Sequence, residues 1–128
     1  MKVIIYVEGP SDRLAMQALL DPLLSSLEGA GTQVEFIPAG NKKQLVLQVP
    51  VRAVNILLND ASAVVVALPD LYPQNVGFPH RTFNDLAAGL HGGFSRALER
   101  KGIADVRLRS RFGVYCFKHD LEALLLAA

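Results

Sequence analysis

The chain has 128 residues, of which 51% are hydrophobic and 20% are charged, and its formal net charge is +1 at pH 7. This composition excludes an intrinsically disordered chain and predicts a single domain, residues 1–128, with one hydrophobic core. The small net charge also excludes binding to nucleic acid or anionic membrane through overall charge alone.

The first predicted element is a strand at residues 3–7 (VIIYV), a continuous apolar run rich in β-branched residues, as in strands buried on both faces. The run is too short for the centre of a signal peptide or for a membrane span, which favours a cytoplasmic protein. It ends at Glu8, so the strand places a carboxylate directly at its carboxyl end.

A helix is predicted next, capped by Ser11 or Asp12, with leucines at helical spacing and an end at the glycines of residues 29–31. Pro22 is expected to kink or restart this helix. Residues 34–37 form a short second strand.

Residues 44–59 allow two interpretations. Four apolar residues form a helical stripe, whereas residues 45–49 are also compatible with an extended segment; the stripe consists of Leu47, Val51, Val54 and Leu58. Pro50 separates the two interpretations, and we favour a helix from Pro50 onward. Residues 63–68 (AVVVAL) are the second clear buried strand.

The second half of the chain begins with a proline-rich loop at residues 69–79. A helix is then predicted from Thr82, which with Asp85 resembles a capping box, to about Lys101. Three glycines weaken its middle: Gly89, Gly92 and Gly93.

Residues 106–111 alternate apolar and basic side chains, which predicts an extended segment with its arginines on one face: Arg107, Arg109 and Arg111. Such a face is either solvated or in contact with phosphate groups. Residues 113–117 are apolar and contain the only cysteine, Cys116, so an intrachain disulfide is excluded. A last helix begins near His119.

Strands alternate with helices along the chain, which predicts a Rossmann-like α/β fold: a mostly parallel sheet of four or five strands with helices on both faces. In such folds the working site lies at the carboxyl ends of the strands, where the strand order switches. Carboxylates converging there suit a hard cation such as Mg²⁺. The residues expected at this edge are Glu8, Asp70, Lys118-His119-Asp120 and Glu122, with Lys42 and Lys43 after the second strand.

A family resemblance rests on Val7-Glu8-Gly9-Pro10-Ser11-Asp12 followed by a leucine-rich helix. This segment resembles the first motif of the TOPRIM superfamily, which includes topoisomerases, primases and OLD nucleases. The second TOPRIM motif is Asp-x-Asp, whereas Asp70-Leu71-Tyr72 here lacks the second acid. The chain looks similar to an uncharacterised TOPRIM-like branch with Asp-x-Tyr and a late His-Glu-Phe-Glu-Ala-Leu-Leu motif, which reads HDLEALL at residues 119–125.

The resemblance implies a TOPRIM-type domain and a phosphoryl-transfer enzyme that uses Mg²⁺ or Mn²⁺ on nucleic acid, namely a nuclease. By the same resemblance, the catalytic residues would be Glu8, His119 and Glu122, and the metal ligands Glu8, Asp70, Asp12 and Glu122. Family context implies an ATPase partner protein and a role in defence against phage or plasmid; a membrane partner is not expected. The alternative is a degenerate, non-catalytic TOPRIM-like module for binding or assembly, which the tyrosine at position 72 favours.

Each candidate residue also has a purely structural interpretation. Glu8 would be a loop carboxylate favoured by the helix dipole, and Asp12 would be a helix cap. Asp70 would stabilise a turn. His119 and Glu122, three residues apart on one helix face, would belong to a capped helix start.

Overall fold

A computed structural model describes residues 1–69, 83–103 and 106–115 of the chain. The elements occur in strict alternation until the last strand, which follows a 3₁₀ helix. In chain order they are β1 (Lys2–Val7), α1 (Pro10–Gly29), β2 (Gln33–Pro38), α2 (Lys42–Asn59), β3 (Ala63–Leu68), α3 (Phe83–Arg100), the 3₁₀ helix (Val106–Arg111) and β4 (Phe112–Val114).

The four strands form one sheet in the order β2-β1-β3-β4, and every neighbouring pair is parallel. The register brings the ends of three strands together, because Val7 pairs with Pro38 on one side and with Leu68 on the other. This arrangement confirms the predicted Rossmann-like α/β fold with a parallel sheet. Strands β1 and β3, which contain the two clear apolar runs, are its central pair.

Helices cover both faces of the sheet, as predicted. On one face, α1 packs over β1 and β2 around Val7, Met16 and Phe36. On the other, α2 and α3 pack over a larger cluster that includes Tyr6 and Val65. The distribution follows from right-handed crossovers: β1 to β2 runs in one direction along the sheet, whereas β2 to β3 and β3 to β4 run in the other.

Helix α2 differs from its predicted form. It begins at Lys42, immediately after Asn41, whose side chain accepts a 2.8 Å hydrogen bond from the backbone N–H of Gln44. Residues 45–49 are therefore helical, so the extended alternative is wrong, and the helix continues through Pro50. Helix α1 also continues through Pro22, so the predicted restart there is wrong.

The buried face of α2 is not the predicted stripe. Leu47, Val51 and Leu58 are 51%, 39% and 43% exposed, and of that stripe Val54 alone is buried. The buried face instead contains Leu45, Val46, Val49, Pro50, Ala53, Val54 and Leu57. Two apolar stripes run along α2, and the stripe with more apolar residues packs into the core.

The segment before β4 is also different from the prediction. Residues 106–111 form a 3₁₀ helix rather than an extended strand, so their arginines do not share one strand face. Strand β4 follows at Phe112, close to the predicted apolar strand. Helix α3 is continuous through its three glycines, and the loop, Thr82 and last helix predicted from sequence lie outside the described residues.

Candidate functional site

Glu8 lies at the carboxyl edge of the sheet, directly after β1. This edge contains the switch in strand order, because the chain leaves β1 for β2 on one side and β3 lies on the other. In parallel α/β sheets of this order, ligands bind outside the carboxyl ends of the strands at that switch point. The structure therefore places Glu8 at the position where the fold class accommodates a ligand.

Backbone hydrogen bonds hold the ends of β1 and β2 together at this edge. The N–H of Ala39 donates to the carbonyl oxygen of Val7 at 2.8 Å, and the N–H of Gly40 donates to that of Glu8 at 3.1 Å. Gly40 has a φ of 117°, which favours glycine, and a side chain there would also collide with Gln44. The backbone on which Glu8 stands is thus fixed by the neighbouring strand.

Asp12 occupies the first turn of α1 and acts as a cap. Its Oδ2 accepts a 3.0 Å hydrogen bond from the N–H of Gly9, which precedes the helix. A carboxylate at this end also interacts favourably with the helix dipole. The N-cap position belongs to Gly9, so the prediction that Ser11 or Asp12 occupies it is wrong; Asp12 instead completes a capping box from the third helical position. Its role as a metal ligand stays a prediction.

Lys42, at the start of α2, is a buried charged side chain. It is only 4% exposed, whereas the adjacent Lys43 is exposed. Lys42 is the first residue of α2. It lies two positions after Gly40, whose amide donates to the carbonyl oxygen of Glu8. Both Glu8 and Lys42 interact with neighbouring groups. Because a buried ammonium is costly unless it is paired, Lys42 is a further candidate residue at this edge.

Sequence reasoning placed Lys42 at this edge but did not give it a role. The available signal was its position directly after a capping asparagine, at the start of a helix that follows a strand of the sheet.

Tyr6 contributes a buried phenol two residues before Glu8, on the face covered by α2. Burial raises the pKa of Tyr6 above its usual value, and the nearby Arg52 opposes that shift only in part. The phenol therefore stays protonated at neutral pH.

The other predicted site residues lie outside the described residues: Asp70, His119 and Glu122, together with Tyr72 and Asp120. The described chain reaches Pro69, which is buried and immediately precedes Asp70 in the sequence. Across residues 1–69, 83–103 and 106–115, no three His, Cys, Asp or Glu side chains are grouped closely enough to bind a metal ion. Among the described residues, carboxylates near this edge include Glu8 after β1 and Asp12 in the first turn of α1, and Asp85 lies in the first turn of α3.

The three arginines of the 3₁₀ helix have different environments. The Arg111 guanidinium donates to backbone carbonyls at the end of α2 and the start of β3: to Ala63 at 3.0 Å, to Leu57 at 3.5 Å and to Asp60. Arg111 is thus a structural residue at the amino edge, away from Glu8, and the prediction that it shares an exposed face with Arg107 and Arg109 is wrong. Those two remain exposed.

Fold and edge geometry together define a Rossmann-like parallel α/β domain with a partly buried carboxylate and a buried lysine near its strand-order switch. The described part of the chain contains no helix long and apolar enough to span a membrane. By its sequence the chain belongs to the family named Domain of unknown function (DUF4276), which it matches over residues 7–128. No curated protein and no solved structure matches it.

Proposed function

We propose that this protein is a metal-dependent phosphoryl-transfer enzyme of TOPRIM type that acts on nucleic acid, most simply as a nuclease. The observation that carries the proposal is the position of Glu8 at the carboxyl end of β1, beside the switch in strand order. The TOPRIM-like sequence around Glu8 and the Asp70-Leu71-Tyr72 motif support it. Phosphoryl transfer needs little more than positioned charges, which an edge of this kind supplies.

The proposed roles follow the chemistry of each side chain. Mg²⁺ or Mn²⁺, when bound, would neutralise charge that develops on the phosphoryl group. Glu8 and Asp70 would bind the cation, with Asp12 and Glu122 as further oxygen ligands. Glu8, or His119 with Glu122, would carry the proton of the attacking nucleophile.

Lys42 adds a positive charge to this proposed site. A buried ammonium near the strand ends would stabilise the carboxylates before a cation arrives, and it would favour a phosphate oxygen once substrate is bound. An ATPase partner and a role in defence against phage or plasmid belong to the same proposal, on the strength of the TOPRIM-like resemblance.

Cleavage assays on nucleic acid test the activity. Purified protein is incubated with single- and double-stranded DNA and RNA in the presence of Mg²⁺ or Mn²⁺, with and without a candidate ATPase partner. Glu8→Gln should abolish cleavage, because it removes the carboxylate and keeps the side-chain size. Glu28→Gln is the matched control, since Glu28 is an exposed glutamate near the end of α1 and thus at the opposite edge. Equal cleavage by wild type and Glu8→Gln would refute the assignment.

Metal binding has a separate readout in a thermal melt. A cation that binds the native state alone stabilises it by RT ln(1 + [L]/Kd), about 2.7 kcal/mol at a hundredfold excess over Kd. Mg²⁺ should therefore raise the melting temperature of wild type and Glu28→Gln, and raise it much less in Glu8→Gln and Asp70→Asn. An equal rise in all four proteins would mean that the ion binds elsewhere.

A second candidate function is a non-catalytic binding or assembly module of the same fold. The observation that favours it is Tyr72, which stands where the Asp-x-Asp motif has its second acid. Tyr72→Asp separates the two candidates. A degenerate metal site should gain Mg²⁺-dependent stabilisation when the acid is restored, whereas a working site built around tyrosine should lose cleavage.

A further inference from the structure

A second concave region lies between α3 and the 3₁₀ helix, apart from Glu8. Its cavity volume is about 580 Å³, within the range of small-molecule sites. The 3₁₀ helix precedes β4, which places this wall toward the amino edge of the sheet, whereas Glu8 follows β1 at the carboxyl edge. The lining residues are His91, Gly92, Phe94, Ser95, Arg109 and Ser110.

Helix α3 contains two adjacent glycines, Gly92 and Gly93, which have different surroundings. A Cβ at Gly93 would lie 3.2 and 3.3 Å from two carbons of Pro50, so the close approach of α2 explains that glycine. A Cβ at Gly92 would meet nothing closer than the Nη1 of Arg96 at 3.4 Å, which is an ordinary contact. Packing therefore gives no reason for glycine at 92, where it weakens the helix by about 1 kcal/mol relative to alanine. Gly92 does line the cavity, and its missing side chain keeps that wall open.

Aromatic contacts fix the wall beside Gly92. Phe94 and Phe112 stack with ring centroids 4.8 Å apart and an interplanar angle of 12°. The ring of His91 meets Phe112 edge-on, at 5.6 Å and 77°. His91 is exposed in spite of this contact, so its ring is both oriented and accessible from the cavity.

The opposite wall is cationic. Arg109 is exposed and, within residues 1–69, 83–103 and 106–115, has no hydrogen-bond or ion-pair partner. The Ser110 hydroxyl donates to the carbonyl oxygen of Arg107 at 2.8 Å, so the donor of this wall is the guanidinium of Arg109; the hydroxyl of Ser95 lines the cavity from α3. Among the residues that line the cavity, Arg109 carries the formal charge, and residues 96–111 around it contain six basic and two acidic side chains. An anionic ligand is therefore favoured at this wall.

We propose that this cavity binds a mononucleotide, with its phosphate at Arg109 and Ser95 and its base against His91. An arginine fork matches phosphate geometry, and aromatic side chains stack on any base. The exposed ring of His91 beside Arg109 favours a ligand with a ring as well as a charge. This site is independent of the function proposed for Glu8.

Titration of the full chain with AMP, followed by calorimetry and by the ring resonances of His91, tests the site. Arg109→Gln should weaken AMP binding about tenfold or more, because it removes a charge-assisted hydrogen bond to phosphate. Gly92→Val should weaken binding by filling the open wall. Arg13→Gln, which removes one exposed arginine from α1, should bind AMP as wild type does. Glu8→Gln should also bind normally, which separates this site from the proposed catalytic one.

Several outcomes would overturn the proposal. They are the absence of saturable AMP binding by wild type at millimolar concentration, an equal loss of affinity in Arg109→Gln and Arg13→Gln, and binding of inorganic phosphate as tight as that of AMP. A short single-stranded DNA that binds through Arg109 while AMP does not would assign the surface to a polynucleotide instead, and would refute the mononucleotide assignment.

Discussion

The same substitution at two adjacent positions of α3 should change stability in opposite directions. Gly92→Ala should raise the free energy of unfolding by about 0.5–1 kcal/mol, since alanine favours the helix and the new Cβ meets only the flexible end of Arg96. Gly93→Ala gains the same helix propensity but places its Cβ 3.2 and 3.3 Å from carbons of Pro50. Attractive carbon–carbon contacts need about 3.5–4.0 Å, so the helices must separate by a few tenths of an ångström.

Pro50 cannot relieve this contact by rotation, because its ring is rigid and fully buried in α2. Overpacking of a core costs about 1–3 kcal/mol, which outweighs the gain in propensity and leaves Gly93→Ala less stable than wild type by about 0.5–2 kcal/mol. Urea denaturation of the two variants and wild type measures both changes, with circular dichroism as the probe. Equal stabilisation by both variants would refute the packing argument, and with it the distinction on which the open wall at Gly92 rests.

Three further variants probe other parts of the fold. Arg111→Met should lower the free energy of unfolding by about 2–4 kcal/mol in urea, because backbone carbonyls at the end of α2 and the start of β3 lose a charged donor; a change below about 0.5 kcal/mol would contradict its structural role. Hydrogen bonds from the Ser62 hydroxyl and amide lower the pKa of Asp60, so its stabilising contribution is complete above the unfolded pKa of about 3.9 and is lost as pH falls through the folded value. Asp60→Asn should accordingly be less stable than wild type at neutral pH, with a difference that closes in acid; a constant difference would argue against this linkage. Burial raises the pKa of Tyr6, so the unfolded state loses the phenol proton first as pH rises. Stability should therefore fall above about pH 10. Tyr6→Phe should reduce that alkaline loss of stability, which thermal melts at a series of pH values would measure.

The central strands could be predicted from sequence because their signal is local. Residues 3–7 and 63–68 are continuous apolar runs, and a run without polar alternation requires cover on both faces. Once two such strands are joined through helices, right-handed crossovers leave few arrangements of the sheet. The position of Glu8 at the carboxyl edge follows from the same reasoning, without any knowledge of contacts.

The face of α2 could not be predicted in the same way, because two apolar stripes run along that helix. Leu47, Val51 and Leu58 have helical spacing, as do Leu45, Val49, Ala53 and Leu57. The choice depends on the surface that α2 meets, including the close approach of Gly93 to Pro50. That approach is a tertiary contact between residues 43 positions apart in the sequence, which local periodicity does not encode.

The 3₁₀ helix was mispredicted for a related reason. Alternation of apolar and basic residues between 106 and 111 fits a strand, yet Arg111 has distant backbone partners at Leu57, Asp60 and Ala63. These partners lie about 50 residues away in the sequence, so the environment of this segment depends on tertiary contacts that a local pattern does not contain. Long-range hydrogen bonds of this kind override a six-residue pattern.

The two edges of the sheet therefore carry different kinds of charged residue. At the amino edge, Arg111 donates to backbone carbonyl oxygens near the end of α2 and at the start of β3. This arrangement stabilises the fold and does not depend on a ligand. At the carboxyl edge, Lys42 is buried, two positions after Gly40, whose amide donates to the carbonyl oxygen of Glu8. A buried ammonium has a desolvation cost that hydrogen bonds and nearby negative charge offset. This contrast is the reason to test the proposed phosphoryl-transfer chemistry at the Glu8 edge, whereas Arg109 at the other end of the sheet is tested as part of a binding site.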